Sequence, residues 1–248
     1  MKHFRFLAIV MAAFTSLLMF SCGSGDSEKK TDEKASDTAS TKTAETSPDV
    51  KTPPANALTN VVVVKHKVAN YAKWKLGYDG HDSARTASGL SNFMIGRGTP
   101  DSNTVLIVLK ASDTAKAKQF GASPGLKESM KKAGVIGQPS MSMLMVDWMN
   151  TDNVEQPQNL MVTHKVKDVD AWRKVFDSDK PARTAAGLID LGIAHDVNDP
   201  HMITIVFAVN DMAKAKAMIG SKELKDKMTQ GGVEGAPSFF FYKVAQSY

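Results

Sequence analysis

Apolar and polar positions alternate in the same order twice along this chain. NVVVVKHKV (60–68) and NLMVTHKVK (159–167) are rich in β-branched residues and read as first strands. YAKWKLGYDGH (71–81) and VDAWRKVFDSD (169–179) place Trp74 and Tyr78, or Trp172 and Phe176, four apart on one helical face. Asn70 and Asp168 precede these segments as N-caps. Pro181 breaks or restarts the second helix before Arg183. Gly89 and Gly187 suit helix C-termini. FMIGR (93–97) and LGIAH (191–195) read as second strands, and TVLIVLK (104–110) and MITIVFA (202–208) as third strands. Asp113 and Asp211 then cap helices carrying AKAK, and shorter helices cover LKESMKK and LKDKMTQ. A Gly-Val-x-Gly-x-Pro-Ser loop leads into the fourth strands, MSMLMV (141–146) and FFFYKV (239–244).

Each half therefore reads β-α-β-β-α-β, and the halves align without a gap. HKV at 66–68 meets HKV at 164–166, and ARTASGL at 84–90 meets ARTAAGL at 182–188. Trp74 meets Trp172, Arg85 meets Arg183, and SPGLKESMKKAGVIGQPS meets SKELKDKMTQGGVEGAPS. Roughly a third of the positions are identical over about ninety, which chance does not produce and which implies a gene duplication.

Two helices cover one face of a four-stranded sheet. Yet Val105 to Leu109 and Phe239 to Tyr242 are apolar on both faces, so both faces need cover. The other repeat is the economical cover. The expected fold is α+β: two tandem ferredoxin-like repeats, 58–150 and 151–248, with antiparallel sheets packed face to face as an internal pseudo-dimer.

The run HKVxxxxxW, an Arg before a Gly, and S-x-x-LK-x-x-M-x-x-x-GV-x-G-x-P resembles the dimeric α/β-barrel superfamily. It looks like an antibiotic-biosynthesis-monooxygenase-like subfamily whose uncharacterised members include some labelled cyclases. The resemblance covers roughly 60–147 and 158–244. It implies ligands between sheet and helices or inside the barrel. It does not imply one activity, because the scaffold hosts unrelated chemistries.

The ends change the picture of location. Lys2 and Arg5 precede an apolar run from Phe6 to Phe20, too short to span a bilayer comfortably. SC at 21–22 followed by GSG resembles a bacterial lipobox, with Met19 and Phe20 departing from its commonest form. Residues 1–21 are then a lipoprotein signal peptide and Cys22 the lipidated residue. Multiple acyl chains there give stable anchoring in the cell envelope, at the outer membrane on its periplasmic or surface face. The alternative is an ordinary secretory signal. Cys22 is the only cysteine, so no internal disulfide forms. Residues 22–57 hold no aromatic residue and read as a disordered tether or a spacer.

The net charge of +5 includes Lys2 and Arg5, and the remaining lysines are interleaved with acids. No basic patch with interleaved aromatics appears, so nucleic-acid binding is not expected. Metal spacing, a phosphate-cradling Gly-rich loop and a Gly-x-Ser-x-Gly elbow are all absent from the sequence. No cofactor is expected.

Polar residues repeated in both halves are the candidates for chemistry. His66 and His164 are in phase with core valines, as a general base or ligand donor, or as a buried histidine with a satisfied partner. Lys67 and Lys165 point to the other face, either holding an anion inside the barrel or snorkelling out. On a continuous first helix Trp74, Tyr78, His81 and Arg85 share a face, which suits a pocket for a planar or acidic ligand. The second repeat offers Trp172, Phe176, Asp179 and Arg183, where Asp179 and Arg183 would pair. The blander alternative makes the aromatics core and the arginines complements of a helix C-terminus. Arg97 and His195 occupy equivalent second-strand positions, facing a cavity or ending an exposed strand. The AKAK lysines read as a solvated helix face.

The function these features favour is binding of a small, partly hydrophobic ligand by an envelope lipoprotein. The alternative is a cofactor-independent monooxygenase-like or cyclase-like enzyme using His66, His81 and Arg85. A third reading is a structural or interaction module without a pocket. The chain is expected to be a monomer with an internal pseudo-dimer, with higher oligomers left open.

Overall fold

The computed structural model describes residues 59–152, 154 and 158–248. The expected signal peptide, the lipidation at Cys22 and the tether lie outside the described residues.

The first half runs β1 (Asn60–Val68), α1 (Tyr71–Asp79), α2 (Asp82–Ala87), β2 (Leu90–Gly98), β3 (Thr104–Ala111), α3 (Thr114–Ala122), α4 (Pro124–Ala133) and β4 (Val135–Met149). The second half repeats the order as β5 (Asn159–Val166), α5 (Val169–Ser178), α6 (Lys180–Ala185), β6 (Leu188–Asp196), β7 (Met202–Val209), α7 (Met212–Gly220), α8 (Lys222–Gln230) and β8 (Val233–Ser247). The eight strands close into one antiparallel barrel in the order β1-β3-β2-β8-β5-β7-β6-β4. The fold is α+β, a ferredoxin-like dimeric α/β barrel in one chain. The halves do more than stack. β2 pairs with β8 and β4 pairs with β6, so the two sheets are sewn together along both edges. Closure leaves no strand edge unpaired.

Antiparallel order around the ring makes β1 and β5 run in the same direction. Their first residues, Asn60 and Asn159, therefore lie at the same barrel end as the last residues of β4 and β8. The β2–β3 and β6–β7 turns lie at the other end.

Pleating assigns each strand residue a face. On β1, Val62, Val68 and the flanking residues pack with Trp74 and Ala117 from the helices. Val61 packs inward with Leu144 and Ala194. Leu160, Val162 and Val166 build the equivalent helix-side core around Trp172 and Ala215. Each half thus has its own helix–sheet core, and the barrel interior is a third layer.

Polar side chains start the helices. Asn70, Asp113, Asp168 and Asp211 each accept from a backbone N–H in the first turn that follows, an interaction worth about 1 kcal/mol each. The helix after β1 is not continuous. Gly80 and His81 separate α1 from α2, and Asp179 separates α5 from α6. The expected loop before the fourth strands is strand instead. β4 and β8 begin at Val135 and Val233, and each absorbs a register shift near a left-handed glycine, Gly137 at φ +71° and Gly235 at φ +67°.

The sixth residues of the repeated heptapeptides are Gly89 and Gly187, both at φ +73°. At Gly187 a β-carbon would stand 2.8 Å from the backbone nitrogen of Asp211. The turn from α6 into β6 thus passes too close to the start of α7 for a side chain.

Candidate functional site

The helix–sheet cores leave one small pocket in each half. In the first half His66, Trp74, Tyr78, His81, Arg85 and Ser129 meet around about 90 Å³. In the second, His164, Trp172, Phe176, Asp179, Arg183 and Lys227 meet around about 80 Å³. Stacked aromatics fill most of each site: Trp74 on Tyr78 and Trp172 on Phe176, both at 5.1 Å between ring centres. The break after α1 does not disperse the candidates. It turns His81 inward, where Nε2 stands 2.7 Å from Ser129 Oγ on α4. The second half puts Asp179 and Lys227 at these two positions.

His66 and His164 are 5% exposed, and neither ring nitrogen of either has a hydrogen-bond partner among the described residues. A satisfied buried histidine is therefore not what the fold provides. Each ring instead meets its tryptophan edge-on, at 5.6 Å for His66–Trp74 and 5.7 Å for His164–Trp172. Burial lowers both pKa values to about 4, because the imidazolium would lose its hydration without gaining a partner. Both rings are neutral near pH 7.

Arg85 and Arg183 are 4% and 5% exposed and close the break between the paired helices. The Arg85 guanidinium lies 3.7 Å from the centre of the Tyr78 ring and donates through Nη1 to the Tyr78 carbonyl at 2.6 Å. The Arg183 group lies 3.6 Å from the Phe176 ring and donates to the Phe176 carbonyl. Their charge partners differ. Arg183 does not pair with the Asp179 carboxylate. It grips Asp190 with two hydrogen bonds, Nε–Oδ1 at 3.0 Å and Nη2–Oδ2 at 2.9 Å. In the first half Asn92 replaces Asp190, so Arg85 reaches the exposed Asp82 at 3.0 Å and leaves Nε unbonded. Asn92 also ties Asp82 to the Tyr78 hydroxyl.

Four candidates lie elsewhere. Lys67 and Lys165 hold no anion inside the barrel. They are exposed and pair with Asp101 at 2.9 Å and Asp199 at 2.8 Å in the β2–β3 and β6–β7 turns. Arg97 lies 4.0 Å from the centre of the Tyr71 ring and donates to the Ser102 carbonyl. His195 joins Asp147 across the β4–β6 edge at 2.7 Å. None of the four lines the pockets described here.

The largest cavity is the barrel interior, about 740 Å³. Small eight-stranded barrels are either filled by side chains or hold one small ligand, and ligand sites generally occupy roughly 300–1,000 Å³. Asn150, Asp152 and Ser247, with Val61 on β1 and Asn159 on β5, line one end. The wall from the first half is aliphatic, with Val61, Leu106 and Leu144. At the equivalent positions the second half places Asn159, Thr204 and Tyr242. Asn159 and Tyr242 are directly opposed on β5 and β8, and Thr204 Oγ1 lies 3.2 Å from Thr163 Oγ1. Asn159 and Tyr242 are 5% and 4% exposed, and their side chains make no hydrogen bond among the described residues. Burial raises the Tyr242 pKa, which keeps it a neutral phenol. Sequence reasoning missed these three because it followed residues shared by the repeats. The signal lay in polar residues appearing on the strands of one copy only.

Among the described residues no group of three His, Cys, Asp or Glu side chains is placed to hold a metal ion. No described helix is long and apolar enough to cross a membrane.

Fold and cavities together define a single-chain dimeric α/β barrel, and solved structures of that architecture resemble it. An anthrone oxidase-like protein superposes with a TM-score of 0.52 at 10% identity, covering 78% of this chain and 94% of that one. A candidate chlorite dismutase gives 0.50 at 10% identity, covering 76% and 95%. An uncharacterised ferredoxin-fold protein related to antibiotic biosynthesis monooxygenases, from Listeria monocytogenes, gives 0.43 at 7% identity, covering 77% and 96%. No protein-family model and no curated protein sequence matches the chain.

Proposed function

We propose that this protein binds a small, largely apolar molecule inside the barrel. The observation that carries this reading is the interior of about 740 Å³, apolar on one wall, with unpartnered buried polar groups on the other. Apolar surface lining that space gains on contact with a ligand, by about 25 cal/mol per Å² removed from water. The helix-side pockets, at about 80 and 90 Å³, are too small for a comparable molecule.

The test uses N-phenyl-1-naphthylamine, a neutral probe that brightens in apolar surroundings. The soluble part should bind one equivalent saturably. Val206→Trp, which fills the interior from β7, should weaken binding at least tenfold with unchanged circular dichroism. Binding unaffected by that substitution would rule the interior out. Native mass spectrometry of the purified soluble part looks for the natural ligand.

The reading includes an envelope location. Its support is the signal-like segment ending at Ser21-Cys22, followed by a tether-like composition. Cys22→Ser should move the protein from the membrane fraction to the soluble fraction. The duplication is inferred from the gapless alignment of the halves.

A second reading is a cofactor-independent enzyme in the first-half pocket. The His81–Ser129 contact favours it, because the second half has no such pair. His66 lines the same pocket as a neutral imidazole, and a pKa of about 4 makes it a weak base there. Loss of turnover on His81→Phe, with no change in probe binding, would separate this activity from the barrel.

A further inference from the structure

We infer that the barrel interior takes an uncharged ligand that presents a hydrogen-bonding edge to the wall built by β5, β7 and β8. This rests on the reading that the interior is the binding site. Among the described lining residues the only charged side chain is Asp152, at the end where β4 leaves the barrel. Among the described residues no lysine, arginine or histidine lines the space. Lys65 is in phase with Val61 and Val63, but its ammonium lies over the Phe240 ring at 5.0 Å and takes no part in the lining. A carboxylate or phosphate would enter without a counter-ion and share the space with Asp152. Its hydration would be lost without return.

An uncharged polar edge meets the opposite situation. Asn159 offers an amide that both donates and accepts, and Tyr242 offers a phenol beside it. Both residues are more than nine-tenths buried and have no hydrogen-bond partner among the described residues, which leaves them available to a ligand's donor or acceptor. Thr204 extends the polar strip one strand further. The facing wall of Val61, Leu106 and Leu144 offers only apolar contact. The ligand is therefore sided: one hydrogen-bonding edge and one apolar face, with no formal charge.

Pyrene, 1-pyrenemethanol and 1-pyrenecarboxylate share a rigid, fluorescent body and differ in this one property. Titrated into the soluble part at pH 7, 1-pyrenemethanol should bind roughly tenfold or more tightly than the carboxylate, which gives up its hydration without gaining a counter-ion. It should also exceed pyrene. Asn159→Val and Thr204→Leu copy the residues of the other half, and Tyr242→Phe keeps the ring. In the triple variant the advantage of the alcohol over pyrene should vanish while pyrene binding persists. Equal or tighter binding of the carboxylate overturns the inference and leaves the cavity reading intact. An alcohol preference that survives the triple variant overturns the assignment to this wall. Failure of all three probes to saturate overturns the inference and the cavity reading together.

Discussion

Tyr242 lies across the bare face of Gly96, so closely that a β-carbon there would stand 2.6 Å from Tyr242 Cδ2. The two residues meet where β8 joins β2. At the opposite junction, where β4 joins β6, the equivalent positions hold Leu144 and Ala194, which pack together in the interior. One junction is large-plus-nothing and the other medium-plus-small. Gly96→Ala should therefore destabilise by about 1–3 kcal/mol through overpacking. Adding Tyr242→Leu should recover part of that loss, with a coupling of about 0.5–3 kcal/mol in a double-mutant cycle. Urea unfolding measures it, and additive effects would show that the two side chains do not constrain each other.

The two buried arginines should respond unequally. Arg183→Ala leaves the Asp190 carboxylate, 10% exposed, without its cation. That loss should cost about 3–5 kcal/mol. Arg85→Ala leaves only Asp82, whose side chain is 58% exposed and stays hydrated. Its cost should be about 1–3 kcal/mol, from the lost ring contact and the bond to the Tyr78 carbonyl. Equal denaturation midpoints for the two variants would contradict the difference in partners. Asp190→Asn, which copies the first half, should narrow the gap.

Stability should fall on mild acidification. His66 and His164 stay neutral in the fold down to about pH 4, while the unfolded chain takes up protons from near pH 6.5. The unfolded state binds more protons across that window, so each histidine should remove about 2 kcal/mol by pH 5, levelling off below pH 4. Replacing both with Phe should flatten the denaturation midpoint between pH 7 and pH 5. A wild-type midpoint that is constant over that range would show that the rings gain a partner.

Two left-handed glycines separate backbone strain from crowding. Gly235, at φ +67°, has no heavy atom within 4 Å of where a β-carbon would be. Gly235→Ala should cost about 1–2 kcal/mol from φ alone. Gly187 has the same φ sign and also the Asp211 backbone at 2.8 Å. Gly187→Ala should cost clearly more, and a thermal melt on both variants compares them.

The strands, their order and the capping residues were legible because they rest on local chemistry: β-branched alternation, Asp or Asn before a helix, glycine after one. The helix break at Gly80 and His81 was not: the second half breaks at the same point without a His81–Ser129 counterpart, and what the two breaks share is a buried arginine that donates back to the Tyr78 or Phe176 carbonyl. The partner of Arg183 was misplaced too. Asp179 is four residues away in sequence, whereas Asp190 is brought alongside by the hairpin into β6. The strand character of Val135–Ser140 was hidden by Gly137 and Pro139, whose usual meaning is a loop. Shared residues between the repeats pointed to the helix-side pockets. The barrel interior is distinguished by residues the repeats do not share.

The paired barrel of two identical chains would show every lining residue twice, once from each side, so a polar strip on one wall would force the same strip on the other. Joining both halves in one chain lifts that constraint. Asn159, Thr204 and Tyr242 appear once, and Val61, Leu106 and Leu144 answer them from across the space. The interior thus has two unlike walls, and a change at any of these positions alters one place in it where two identical chains would have to accept the change in duplicate.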